Sequence, residues 1–191
     1  MIKDLLIRDA RPEDAPFLAE CIMAGMHFHD FGDLMSDGMS DILEGLTECE
    51  GREDTLYSWT RTRVAEVDGK PAGALLSYPG ELYLGLRDKT FREYWPTFFT
   101  EHADDDPETG PGEYYLDSLA VIPEHRRRGI GRALLEDGIR KGAGLGFRKV
   151  TLVADADYGH LIRLYESVGF VPDGHRHAFG TDFLRMVFTT R

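Results

Sequence analysis

Residues 125 to 142 read HRRRGIGRALLEDGIRKG, three arginines in a row followed by two glycines one residue apart. The chain carries a formal net charge of −12, so a basic cluster of this density needs a reason. A hydrophobic run, EYYLDSLAVI, precedes it, and an apolar pattern of helical spacing follows. A strand that passes through glycines into a helix suits an anion. The first amides of a helix lack partners within it, and its dipole adds positive potential there. Glycine lets a charged group approach those amides without a Cβ in the way. Arg126, Arg127, Arg128 and Arg132 add charge around Gly129, Ile130 and Gly131. The segment reads as a cradle for an anionic group, most simply a pyrophosphate.

The common nucleotide motifs fit it poorly. The dinucleotide fingerprint G-x-G-x-x-G finds its first two glycines at Gly129 and Gly131, but Leu134 stands at the third. The segment also lies far from a first strand, where that fingerprint belongs. A phosphate loop of the form G-x-x-x-x-G-K-[ST] needs a Lys-Ser or Lys-Thr pair that this stretch lacks. The glycines of GAGLGF, residues 142 to 147, follow the helix and read as its stop.

The stretch SLAVIPEHRRRGIGRALLEDGI resembles the acetyl-CoA-binding motif of the GCN5-related N-acetyltransferases (GNAT), [R/Q]-x-x-G-x-[G/A], here Arg126-x-x-Gly129-x-Gly131. Downstream, LIRLYESVGFVP, residues 161 to 172, is similar to the family's second signature, L-Y-E-x-x-G-F on a helix. The two stand in family order, and the opening strand, helices and hairpin match the family's first half. Residues 80 to 112 fall outside the resemblance. It implies an α/β GNAT acyl-CoA N-acyltransferase fold: a mixed, mostly antiparallel central sheet, splayed into a V-shaped cleft and flanked by helices. It also implies acetyl-CoA as co-substrate, no metal, and a primary amine on a small molecule or peptide as acceptor. A homodimer is a family habit.

The same resemblance implies roles for residues. The backbone of Leu119, Ala120 and Val121 would bond to the pantetheine arm as a neighbouring strand does. The amides from Arg128 to Arg132 would hold the pyrophosphate. Tyr165 matches the tyrosine that protonates the departing thiolate in many members, a task that suits a phenol of pKa near 10. Where the family often has Asn, seven residues earlier, this chain has Tyr158, so Asp157 or Tyr158 is assigned to the cofactor instead. The acceptor must also lose a proton. An amine of pKa about 10.4 is neutral at pH 7 only about one part in 2,500. Asp117 and Glu113 share parity on the central strand, and Asp117 is the preferred base. Tyr115 stands where some members place a glutamate. A non-catalytic acyl-CoA-binding or regulatory module on the same fold, or a dinucleotide-dependent oxidoreductase, are the alternatives.

These residues need elements to hold them. LLIRDARPEDAPFLAECIMAGM reads as a strand, a turn and a helix, with Phe17, Leu18, Cys21, Ile22 and Met26 at helical spacing. A second helix is expected over about 41–47. TRVAEV and PAGALLSY flank Asp68-Gly69 as a hairpin. Residues 91–99 predict a helix whose aromatic face packs on the sheet, and 104–112 a mobile, solvated loop. After the glycine helix come a strand at KVTLVAD, a helix at YGHLIRLYESVG and closing strands. Alternating strands and helices indicate α/β architecture.

Length and composition set bounds on the rest. At 191 residues, with 42% hydrophobic content, the chain can fold as one domain with an insertion at about 80–112. The acidic balance disfavours nucleic acid and is compatible with a cationic substrate. No apolar run reaches the roughly 18 residues of a membrane span. Cys21 and Cys49 lack CxxC spacing and read as reduced thiols in a cytoplasmic protein. His27, His29 and Asp30 superficially suggest a metal, but without a third ligand they read as loop residues near an acceptor pocket.

Overall fold

The computed structural model describes residues 5–26 and 38–191. Hydrogen-bonded neighbours in its seven-stranded sheet follow the order β1-β2-β3-β4-β5-β7-β6. The strands are β1 (Leu5–Asp9), β2 (Thr62–Val67), β3 (Lys70–Pro79), β4 (Glu113–Val121), β5 (Lys149–Asp155), β6 (Val171–Ala178) and β7 (Thr181–Thr189). The helices are α1 (Ala15–Gly25), α2 (Met39–Glu50), α3 (Tyr83–Tyr94), α4 (Pro96–Glu101), α5 (Ile130–Gly144) and α6 (Gly159–Val168). β1 with β2, β2 with β3, β5 with β7 and β6 with β7 pair antiparallel, whereas β4 and β5 run parallel. The mixed, mostly antiparallel sheet expected from sequence is therefore present. By internal contacts the chain divides into two compact units, Met1–Ser77 with Ser118–Leu134, and Tyr78–Asp117 with Leu135–Arg191.

In the first unit, β1 pairs with β2 from Leu5↔Val67 to Asp9↔Arg63, and β2 with β3 across the Asp68-Gly69 turn. Both turn residues have positive φ, 52° and 73°, as a two-residue hairpin requires. The core gathers Leu18 and Cys21 from α1, Val64 from β2, Ala74 from β3 and Ala120 from β4. The period-3.6 stripe of α1 thus meets the period-2 faces of the strands. Asp14, buried at the start of α1, is held by Arg8 at 2.7 and 2.9 Å and by the Arg11 amide at 2.7 Å. The second helix runs longer than expected, from Met39 to Glu50. His27, His29 and Asp30 lie outside the described residues.

The second unit holds the segment 80–112. Instead of one helix over 91–99, α3 begins at Tyr83 and α4 starts anew at Pro96. Proline has no amide proton to continue a helix and crowds the preceding turn, so the axis breaks at Trp95 (φ −136°, ψ 63°). Phe98 stacks on Phe179, between β6 and β7, with centroids 5.6 Å apart, and Phe91 meets the same ring edge-on at 6.3 Å. The aromatic face serves packing, as expected.

The stretch 104–112 departs from a mobile loop, because its polar groups have fixed partners. Asp105 accepts from the Phe179 amide at 2.6 Å, and the Asp106 amide donates to the His177 carbonyl at 3.2 Å. Thr109 is buried and donates to Glu113 at 3.1 Å. A Cβ on Gly80 would stand 2.2 Å from the Gly110 carbonyl oxygen and 2.6 Å from Thr109 Oγ1. The absence of a side chain at residue 80 is what lets this segment lie so close to the start of α3.

Candidate active site

The glycine segment is built as the sequence suggests. After β4 the Ile122 amide donates to Ala72 at 3.0 Å and a short 3-10 turn spans Pro123–His125. Arg127 and Gly129 then take left-handed conformations, φ 56° and 88°. Ala133 donates to the Gly129 carbonyl at 3.0 Å, the first α-type bond, so the amides of Ile130 and Gly131 open the helix. Gly129 and the three arginines before it are exposed, while Ile130 is buried as the anchor of the helix. Arg126 turns its Nε back to the Val121 carbonyl at 2.9 Å, and Arg128 donates to His125 Nδ1 at 2.8 Å. These side chains therefore brace the turn as well as charging it. Leu119 and Val121 are half-buried on β4, with buried Ala120 between them packed into the core.

The residues of α6 belong to the second unit. Tyr158 opens the helix, accepting from the Leu161 and Ile162 amides at 2.8 and 3.3 Å. Tyr165 lies seven residues on, two turns later and so on the same side of the helix. Its side chain is 8% exposed, against Phe170 at a 6.3 Å centroid distance, and burial pushes its phenol up to about 12. Such a phenol stays protonated throughout the neutral range and is available as a donor. Asp157 is exposed, its amide donating to the Asp155 carboxylate at 2.9 Å.

The two acidic residues of β4 part company. Glu113 accepts from Thr109 at 3.1 Å and Thr151 at 3.2 Å, and is paired with buried Arg185, which also binds Asp173. Those partners make it a structural tie. Asp117 instead accepts from the hydroxyl of Tyr78, a residue 1% exposed at the end of β3. Pairing of β4 with β5 covers only Glu113↔Lys149 to Tyr115↔Thr151, so Asp117 lies two residues beyond that register.

Around Asp117 the structure assembles groups that sequence reasoning missed. The Tyr78 and Tyr115 rings meet edge-on at 5.8 Å, and Tyr83 and Tyr115 at 6.4 Å. All three tyrosines are almost wholly buried. Glu108 directs its carboxyl at Tyr83 and Tyr115, with Asp117 and Arg87 near enough to act on its charge. Burial first, and the Asp117 charge second, lift Glu108 to about 8. Burial first, and the same carboxylates after it, raise the phenols of Tyr78, Tyr83 and Tyr115. In the sequence, Glu108 sat inside DPETGPG, whose composition signals only a turn. No spacing rule ties it to Tyr83 or Asp117.

Neither cysteine offers a nucleophile, since Cys21 and Cys49 are buried and burial raises the Cys21 thiol well above its usual value. Among the described residues, no three His, Cys, Asp or Glu side chains form a group that could hold a metal ion. No helix among them is long and apolar enough to cross a membrane.

The mixed strand order, with a left-handed turn delivering β4 into α5, places the molecule in the class of acyl-CoA N-acyltransferase folds. More narrowly, the chain belongs to the acetyltransferase (GNAT) family, which it matches over residues 33–170. Members draw the acetyl group from acetyl-CoA. Among curated relatives, it is 34% identical over 132 residues to a mycothiol acetyltransferase of Geodermatophilus obscurus, covering 67% of this chain and 38% of that protein. A mycothiol acetyltransferase of Thermobispora bispora is 40% identical over 118 residues, 59% of this chain and 36% of its own length. The chain thus spans less than two fifths of these relatives. An N-acetyltransferase of Staphylococcus aureus Mu50 shares the fold at a TM-score of 0.79 and 23% identity, covering 96% of this chain and all of that one.

Proposed function

We propose that this chain transfers the acetyl group of acetyl-CoA to a primary amine, by direct attack of the amine on the thioester in a ternary complex. The observation that carries the reading is the turn before α5, where left-handed Arg127 and Gly129 open the helix in a member of the GNAT family. Its exposed backbone and surrounding arginines fit a diphosphate. Leu119, Ala120 and Val121 supply strand backbone for the pantetheine arm, and Asp157 and Tyr158 are further cofactor contacts. Tyr165 hands a proton to the departing sulfur, a role its raised pKa suits because a protonated phenol is the form present. Asp117 assists removal of the amine proton. Direct attack needs no acyl-enzyme, in keeping with two buried cysteines.

The relatives named mycothiol acetyltransferase make the acceptor of that reaction the first amine to try. It belongs in a panel with a lysine analogue, a polyamine and peptides with free N-termini. The assay is release of coenzyme A by wild type and Tyr165→Phe, beside a direct measurement of acetyl-CoA binding. Wild type is expected to turn over at least one amine, and Tyr165→Phe to lose about 10- to 100-fold in kcat with acetyl-CoA affinity kept. Binding of acetyl-CoA without turnover of any amine would favour the non-catalytic module instead.

A further inference from the structure

β3 is irregular at one place, and that place lies beside the strand backbone proposed for the pantetheine arm. Its register with β2 slips between Ala65↔Gly73 and Glu66↔Pro71, which leaves Ala72 as the extra residue of a bulge. The Ala72 carbonyl accepts from the amide of Ile122, one residue past the end of β4, at 3.0 Å. The next residue, Gly73, has no side chain although it stands within a strand, a choice that weakens the strand and marks a close approach of another backbone. A Cβ there would stand 2.7 Å from the Ala120 carbonyl oxygen, 3.2 Å from Val121 Cγ2 and 3.4 Å from Leu134 Cδ1. The first distance lies well inside van der Waals contact, and its partner is backbone, which no rotamer change moves aside.

β4 has little freedom to step back from that approach. The Ala120 side chain is buried among Leu18 and Cys21 of α1, Val64 of β2 and Ala74 of β3. The end of α1 closes on the same stretch, since a Cβ on Gly25 would stand 3.4 Å from Ser118 Cβ and 3.8 Å from the Leu119 amide nitrogen. Successive strand residues face opposite sides, so Ala74 meets the α1 side and Gly73 the side of Leu134 on α5. Packing thus holds this part of β4 from the α1 side, and the bare Gly73 admits it on the other. A methyl group at residue 73 would displace the Ala120 carbonyl, and with it the peptide groups of Leu119 and Val121.

We propose that Gly73 is a positioning residue for acetyl-CoA, setting the line along which the Leu119, Ala120 and Val121 backbone meets the pantetheine arm. The role rests on the acetyl-CoA reading given above. A pantetheine arm carries two amides and no charge, so a strand grips it through main-chain hydrogen bonds, as it would an added strand. Such bonds weaken steeply as their angles depart from linear, so the path of the backbone decides how well the arm is held. The diphosphate turn is closed by bonds of its own, from Arg126 to the Pro123 carbonyl and from Ala133 to the Gly129 carbonyl, none of which involves residue 73.

Two ligands separate the arm from the diphosphate: coenzyme A, and its phosphoadenosine diphosphate fragment, which lacks the arm. Titration calorimetry measures both on wild type and on Gly73→Ala. Wild type is expected to hold coenzyme A at least tenfold tighter than the fragment; equal affinities would overturn the inference before any variant is made, because the arm would then gain nothing from the strand. Gly73→Ala is expected to lose at least tenfold for coenzyme A and less than threefold for the fragment. Equal losses for both ligands would overturn the positioning role, since residue 73 would then support the fold at large. So would coenzyme A affinity within threefold of wild type. The double variant Gly73→Ala with Val121→Ala clears the 3.2 Å contact and keeps the one at 2.7 Å, so its loss for coenzyme A is expected to persist. It also serves if the single variant does not fold; wild-type affinity in it would show that Gly73 makes room only for a side chain, and would overturn the inference. A wild type that binds neither ligand would instead be a failure of the acetyl-CoA reading itself.

Discussion

Gly129 separates conformation from charge in a way that few positions allow. Its φ of 88° is left-handed, and a Cβ built there would meet nothing within 4 Å. Gly129→Ala therefore introduces no clash, and its cost is the backbone preference alone, about 1–2 kcal/mol of folding stability. Gly129→Asp carries the same backbone cost and adds a negative charge at the mouth of α5. Against a phosphate about 5 Å away, that charge costs roughly 3 kcal/mol at an effective dielectric of 20, and about 0.8 kcal/mol if fully watered. The expected weakening of acetyl-CoA binding thus lies between about fourfold and 150-fold, and at low salt well above tenfold. Titration calorimetry on both variants, at two salt concentrations and far below the denaturation midpoint, reads the difference. Alanine is expected to bind within threefold of wild type. If alanine and aspartate weaken binding equally, or if neither does, no diphosphate sits at this turn.

Three further expectations concern the second unit. Arg185→Met strands Glu113 and Asp173 without their shared cation; breaking a buried pair of this kind costs about 3 kcal/mol, readable by urea denaturation, and a loss under 1 kcal/mol would show the network to be ornamental. Asp117→Asn keeps an oxygen for Tyr78 to bond while removing the charge, so kcat/KM for the amine is expected to fall about tenfold or more, most at low pH, with acetyl-CoA affinity kept; an unaltered pH–rate profile would return Asp117 to a structural role. The folded chain holds a proton on Glu108 that the unfolded chain releases near pH 4.5. Its contribution to stability is fully present below that value and is lost as pH rises toward about 8. Wild type should therefore lose more thermal stability between pH 6 and 8.5 than Glu108→Gln does; parallel losses would refute the shift.

What the sequence made legible was whatever depends on backbone conformation at fixed spacing. The turn at 126–131 needs a left-handed residue at Gly129 and a helix directly after it, and both leave a mark in residue type. The hairpin at Asp68-Gly69, the break of α1 from β1 at Pro12 and the stop of α6 at Gly169 were readable for the same reason. The region 80–112 was not. Its helix boundary is set by Pro96, while the aromatic residues on either side keep a helical spacing straight across it. Its loop is fixed by Asp105, Asp106 and Thr109, whose partners lie at Phe179, His177 and Glu113. Composition cannot report the bonds that Asp105 and Asp106 make to residues more than seventy positions away.

That contrast bears on which residues can be trusted to carry chemistry. A diphosphate is held through amides, which every residue possesses, so the constraint falls on shape and is written as glycine. Moving a proton requires a particular side chain in a particular field, and many residues can supply the field. At Asp117 the field comes from Tyr78, Tyr115 and Glu108, drawn from three stretches of chain and tied in place by Gly80 and Thr109. The Thr109–Glu113–Arg185 chain of bonds then has a purpose beyond stability, because Thr109 is the residue next to Glu108 on the backbone. Loosening that network at Arg185 should therefore disturb the field at Asp117 as well as the fold. In the stably folded fraction of Arg185→Met, kcat/KM for the amine is expected to fall while acetyl-CoA affinity holds. Equal retention of both would show that Asp117 keeps its surroundings without help from β7.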